Sequence, residues 1–113
     1  MAFAKEGCKV VVSDYVEDKD GKNTVNEIKK LESDAIFVKA DVSKEKDVKN
    51  LVDKAVKKFG KLNIMVNNAG IVSFGTADTL TEKDWDKVIN VNLKGVFFGT
   101  KYAAKQMLKQ GKG

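Results

Sequence analysis

The sequence predicts an α/β fold in which a parallel sheet carries helices on both faces. Two observations lead there. Short apolar runs rich in β-branched residues alternate with longer segments of helical periodicity. Those runs are apolar throughout rather than at every second position, the pattern of strands buried on both faces. The right-handed crossover rule then leaves few topologies.

Taken in order, Met1 to Glu6 reads as the last turns of a helix closed by Gly7, a residue suited to a C-terminal cap. Lys9-Val10-Val11-Val12-Ser13 is the first strand, and Asp14 to Gly21 a polar loop. Lys22 to Glu32 spaces Val25, Ile28 and Leu31 as a weakly amphipathic helix. Ala35-Ile36-Phe37-Val38-Lys39 is the second strand. Ser43 is placed to cap the next helix, where Val48, Leu51, Val52, Ala55, Val56 and Phe59 repeat at helical spacing. Glu45 and Asp47 in its first turn and Lys57 and Lys58 in its last suit the helix dipole, and Gly60 stops it. Leu62-Asn63-Ile64-Met65-Val66 is the third strand, followed by a loop over 71–80. Thr81-Glu82-Lys83-Asp84 has the form of a capping box and opens a long final helix.

Composition bounds the chemistry. At 113 residues the chain is one domain at most. It has no histidine and a single cysteine, which excludes histidine acid/base catalysis, an internal disulfide and a Cys/His zinc site within these residues. Cys8 is read as a small packed residue beside a strand, and the cysteine usage fits a cytoplasmic protein. No apolar stretch approaches the roughly 20 residues of a membrane helix, and no signal-peptide pattern opens the sequence. The net charge is +5 and every cation is lysine. A nucleic-acid reader is expected to use arginine for bidentate contacts, so the lysines are read as solvated helix faces.

Four groups carry candidate chemistry. Asp14 directly follows the first strand, where an acid in a dinucleotide fold bonds the adenosine ribose hydroxyls; the alternative is a polar turn residue. Asp41-Val42 ends the second strand, where the carboxylate could accept from an adenine amino group or simply cap the helix. Asn67-Asn68-Ala69-Gly70 closes the third strand, and strand C-termini are where open α/β sheets bind ligands. Its small residues let a ligand approach the main chain, and Gly70 permits a positive φ; the alternative is an ordinary turn with self-bonding Asn side chains. Asn92 falls on the apolar stripe of Trp85, Val88, Ile89, Val96 and Phe97. It is therefore expected to point inward, bonded to neighbouring backbone or placed for function, whereas Asn90 lies off the stripe and is expected in solvent. Val96-Phe97-Phe98 covers more of the helix than one core requires, which favours a partner helix. Tyr15 and Lys19 match Tyr-x-x-x-Lys, but in a loop, and are read as coincidence. Tyr102 and Lys105 are three apart rather than four.

Together, Phe3-Ala4-Lys5-Glu6-Gly7, Val10-Val11-Val12-Ser13-Asp14, Asp41-Val42-Ser43, Phe59-Gly60-Lys61-Leu62, Asn67-Asn68-Ala69-Gly70 and Val91-Asn92-Leu93-Lys94-Gly95-Val96-Phe97 resemble the short-chain dehydrogenase/reductase family in order and spacing. The resemblance implies a Rossmann-like, doubly wound parallel sheet and a nicotinamide-dependent oxidoreductase acting on an alcohol or ketone. It implies that Asp14, with Tyr15 beside it, selects NAD over NADP. Asp41 and Val42 would border the adenine, and Asn68, Ala69 and Gly70 would line the cofactor groove. Asn92 would match the catalytic asparagine, which holds a water of the proton relay through its helix backbone. The final helix would form homo-oligomer contacts, and Ser73, Phe74 and Thr76 would lie at the rim of the site.

The family's glycine-rich turn and its catalytic serine and Tyr-x-x-x-Lys motif have no counterpart in these residues. In the sheet order 3-2-1-4-5-6 the present strands would be 2, 3 and 4, with the central first strand missing. The chain is thus expected to be a partial dinucleotide-binding domain over 1–113, a fragment of an oxidoreductase and inactive alone. Exposed inner strand edges should leave it unstable in isolation and a poor binder of NAD. The alternative is a non-enzymatic short protein that joins a partner through its final helix.

Overall fold

The computed structural model describes all 113 residues. Helix α1 (Ala2–Lys5) leads through Gly7, at φ +77, into strand β1 (Val10–Asp14). Helix α2 (Lys19–Lys30) returns the chain to strand β2 (Ala35–Lys39). The two strands pair in parallel, with Val10 opposite Ala35 and Asp14 opposite Lys39. Helix α2 begins three residues earlier than its periodicity predicts, because the Asp18 carboxylate accepts the Gly21 N–H at 3.0 Å and caps it. Val10, Val12 and Phe37 pack on a small core of Ala4, Val25, Ile28 and Ala35 on the α2 side. Strand alternation therefore turns Val11 and Ser13 to the other face.

Helix α3 (Glu45–Phe59) covers that face and ends at Gly60 with φ +82. Ser43 does not cap it. Lys44 occupies the cap position without a side-chain bond, and the Ser43 hydroxyl instead donates to Asp41 Oδ1 at 2.6 Å.

The expected third strand is not part of the sheet, which has only β1 and β2. None of residues 61–75 takes part in a backbone–backbone hydrogen bond. The segment is nonetheless extended, because the last helical stretch holds it at both ends. Gln110 accepts the Leu62 N–H and donates to its carbonyl, each at 2.8 Å. Asn92 does the same for Ile71, again at 2.8 Å for each bond. The two anchors are separated by about 27 Å at a rise of 1.5 Å per residue. Nine residues cross that distance at about 3 Å each, close to the rise of a strand. What the segment lacks is a hydrogen-bonded neighbour, not strand conformation.

The long final helix is interrupted. Helix α4 (Glu82–Ile89) is capped by Thr81, whose hydroxyl accepts the Asp84 N–H at 3.1 Å. A π-helical turn follows at Asn90–Lys94, and helix α5 (Gly95–Gln110) completes the chain. The π-turn rotates the helical register, so a stripe counted at 3.6 residues per turn does not continue through it. Trp85 and Phe97 are exposed, while Gly95, Phe98, Gly99 and Ala103 form the buried face. Helix α5 packs against α3. Gly95 permits the close approach of α5 to the turn after β2: a Cβ there would lie 2.8 Å from Val42 Cγ2. No helix is long and apolar enough to cross a membrane.

Candidate functional site

The C-terminal ends of β1, β2 and the 62–66 segment open onto one cavity of about 1700 Å³. Asp14, Tyr15, Asp41, Val42, Asn68, Ala69 and Gly70 all line it. Residues chosen from three separate places in the sequence thus share one wall system, because parallel strands deliver their C-termini to the same edge of a sheet.

Asp14 is exposed at the end of β1. Its Oδ1 accepts the Tyr15 N–H at 2.6 Å, and its second oxygen has no partner in the chain. Tyr15 is 66% exposed. Lys19 starts α2 while Tyr15 precedes it, so the Tyr-x-x-x-Lys spacing at 15–19 puts no phenol and ammonium on one helix face.

Asp41 is built into a turn. Its Oδ1 accepts the Ser43 N–H at 3.0 Å as well as the hydroxyl, and Lys44 Nζ lies 3.5 Å from Oδ2. Partial burial pushes this carboxyl up, but the Ser43 bonds and the Lys44 charge together outweigh it and hold the group below its ordinary value. The Asp41 N–H donates to Asp47 Oδ2 at 3.0 Å, so the turn is tied from both sides to the first turn of α3.

Asn68, Ala69 and Gly70 are exposed on the cavity wall. Gly70 does not use the left-handed region. Its role is space: a Cβ there would meet nothing nearer than Asn92 Oδ1 at 3.7 Å, so the main chain stays open to an approaching group. Asn67 is spent on the scaffold, with Nδ2 donating to Thr100 Oγ1 at 3.5 Å.

Asn92 does not point into an apolar core. It is exposed, and Asn90 is the half-buried one, the reverse of the helical-stripe expectation. The π-turn at Asn90–Lys94 causes the exchange. Both polar atoms of the Asn92 amide are bonded to the Ile71 backbone, so its side chain organises the 67–71 turn and its own backbone sits in the π-turn. Asn92 touches the cavity only through Ile71, which lines it.

Three contacts join residues too far apart for local spacing to reveal. The Gln110 clamp on Leu62 has no local signal, since glutamine near a helix end is ordinary. Gly95 and Gly99, four apart on α5, could have announced a close approach; Gly99 faces Asn67 as Gly95 faces Val42. Glu45 Oε1 accepts from both Lys101 Nζ, at 2.5 Å, and Tyr102 OH, at 2.9 Å, which ties the start of α3 to α5. Cys8 is half-buried, and its carbonyl accepts the Ser33 hydroxyl at 2.6 Å.

The family model for short chain dehydrogenase matches residues 1–113. An uncharacterized oxidoreductase of Thermotoga maritima is 48% identical over 113 residues, all of this chain and 44% of the relative. A 2-dehydro-3-deoxy-D-gluconate 5-dehydrogenase of Dickeya dadantii is 39% identical over 113 residues, again all of this chain and 44% of the relative. A trihydroxynaphthalene reductase of Pestalotiopsis fici is 38% identical over 107 residues, 95% of this chain and 38% of the relative. The chain thus spans well under half the length of the relatives it matches.

Proposed function

This chain belongs to the short-chain dehydrogenase/reductase family, and on that premise we propose that the complete protein is an NAD-dependent oxidoreductase interconverting an alcohol and a ketone or aldehyde. The observation that carries the reading is that the free Asp14 oxygen and the open Asn68–Gly70 backbone line one cavity. A carboxylate at a strand end accepts hydrogen bonds from a vicinal diol and repels a phosphate on the same sugar, which favours NAD over NADP. The residues present fit the adenosine half of the cofactor. Asp14 and Tyr15 flank the ribose, Asp41 and Val42 border the adenine, and Asn68, Ala69 and Gly70 admit the cofactor backbone. When bound, the nicotinamide supplies the hydride acceptor or donor.

The catalytic asparagine is Asn92. Its amide is committed to Ile71, so any part it takes in the reaction goes through its main chain in the π-turn. These 113 residues alone do not carry out the reaction. Leu93, Val96 and Phe97 are exposed on the final helical stretch and provide the surface for a second subunit of the same protein.

The test is Asp14→Ala in the complete enzyme. A hydrogen bond to a charged group contributes about 1.5–3 kcal/mol, and 1.4 kcal/mol is tenfold in binding. The KM for NAD is expected to rise about tenfold or more, with kcat little changed and the preference against NADP relaxed. An unchanged KM for NAD, with NADP still excluded, would overturn the assignment.

A further inference from the structure

The π-turn sends a second asparagine to the cavity. Asn90 opens that turn, and its carbonyl accepts the N–H of Gly95, which follows the turn. In a regular α-helix, at 3.6 residues per turn, side chains five apart point about 140° away from each other. The wider π-turn brings Asn90 round toward the face of Gly95. That face meets the turn after β2: a Cβ on Gly95 would lie 2.8 Å from Val42 Cγ2 and 3.3 Å from the Val42 carbonyl oxygen. Asn90 therefore stands one turn of helix beyond the Val42 contact, on the same side. It is half-buried, and it lines the cavity together with Asp41, Val42 and Gly95.

The neighbouring polar groups are already engaged. Asp41 Oδ1 takes both the N–H and the hydroxyl of Ser43, and Lys44 Nζ lies 3.5 Å from Oδ2. Both ends of the Asn92 amide are bonded to Ile71. Asn90 brings a carboxamide to the same wall, with one accepting and one donating end. Adenine offers the complement, an amino group beside a ring nitrogen that accepts, and asparagine reads that base by bonding both.

We infer that Asn90 is a specificity-determining residue of the cofactor site, whose carboxamide bonds the adenine ring at its 6-amino group and N7. This role rests on the NAD reading and adds to it how the site recognises the base. A hypoxanthine ring carries a keto oxygen in place of the amino group. It then presents two acceptors on that edge, which one amide nitrogen and an opposing carbonyl do not match.

The test is calorimetric titration of the complete enzyme and of its Asn90→Leu and Asn90→Asp variants, without substrate. The probes are NAD, its hypoxanthine analogue, and nicotinamide mononucleotide, which has no adenine. A hydrogen-bond pair of this kind is expected to give Asn90→Leu about fivefold weaker NAD binding or more. The mononucleotide and the hypoxanthine analogue are expected to bind parent and Asn90→Leu within about twofold of each other, because neither uses the contact in full. Asn90→Asp still accepts from the amino group and is expected to keep part of the preference for adenine over hypoxanthine. Unchanged NAD binding by Asn90→Leu overturns the inference, and so does an undiminished preference for adenine, which would assign the amino group to Asp41. Parallel weakening of all three probes also overturns it, because Asn90 then only shapes the helix. Failure of the parent enzyme to bind NAD at all overturns the cofactor reading and this role with it, whereas loss of NAD binding in Asp14→Ala alone leaves the cofactor reading standing and removes only the role of Asn90.

Discussion

Glu45 is the one acid that two donors of another helix share. Lys101 and Tyr102 both reach its Oε1, and together they hold the Glu45 carboxyl below its ordinary value. The effect is mutual. The hydrogen bond to Glu45, with partial burial behind it, pushes the Tyr102 phenol above its usual value near 10, and the same carboxylate raises Lys101. Removing a charge that accepts a phenolic proton makes that proton easier to lose. Glu45→Gln is therefore expected to bring the Tyr102 titration down toward 10, followed by ring-carbon NMR; a transition that does not move means that the contact does not persist in solution. At this scale the sequence was only partly readable. Strand ends announce themselves in the sequence, and Asp14 and Asp41, which stand at or just after them, line the cavity. Glu45 was read as a dipole partner of its own helix, and its true partners lie more than fifty residues away, a distance that local spacing does not encode.

Among the elements, β2 was legible to the residue, since a β-branched run between turn signals has one reading. Helix α3 was legible as well, through its apolar stripe, although its cap was misplaced: Ser43 had a better partner in Asp41 than in the helix. The 62–66 segment was read as a strand and has strand conformation, but pairing belongs to a neighbour and is not a property of the segment. The final helix was read with a single period and therefore misassigned Asn90 and Asn92 across the π-turn. Its glycines show what the periodicity hides. Gly95→Ala would set a Cβ 2.8 Å from Val42 Cγ2, 3.1 Å from its Cβ and 3.3 Å from its carbonyl oxygen, so backbone must move. Overpacking of this kind costs about 1–3 kcal/mol, against a helix-propensity gain of about 1 kcal/mol. Gly99→Ala meets only the side-chain amide of exposed Asn67, which can rotate away. Urea midpoints on the complete enzyme are expected to fall for Gly95→Ala and to stay near or above the parent for Gly99→Ala. The opposite order would show that α5 does not rest on the Asp41–Ser43 turn.

For the whole molecule, the quantities point to a core too small for independent stability. Only Ile28 and Val48 are large side chains removed completely from solvent. The radius of gyration is 15.7 Å, where about 13 Å is expected for a compact chain of this length. A two-stranded sheet with helices on it must offset the conformational entropy of every ordered residue, which is about 1–2 kcal/mol for the backbone alone. Native domains clear that cost by only about 5–15 kcal/mol even when complete. The cofactor groove inherits the deficit, because its walls come from β1, β2 and the 62–66 segment, and no backbone hydrogen bond joins that segment to the sheet. A ligand can stabilise a fold only by its affinity for the folded state, so a weakly populated fold also binds weakly. The 113-residue chain alone is thus expected to show no cooperative thermal transition and to bind NAD no tighter than about millimolar, measured by scanning calorimetry and isothermal titration. A sharp transition together with micromolar NAD binding by the 113-residue chain would refute this and show that two strands, α3 and the anchored segment suffice for the nucleotide site.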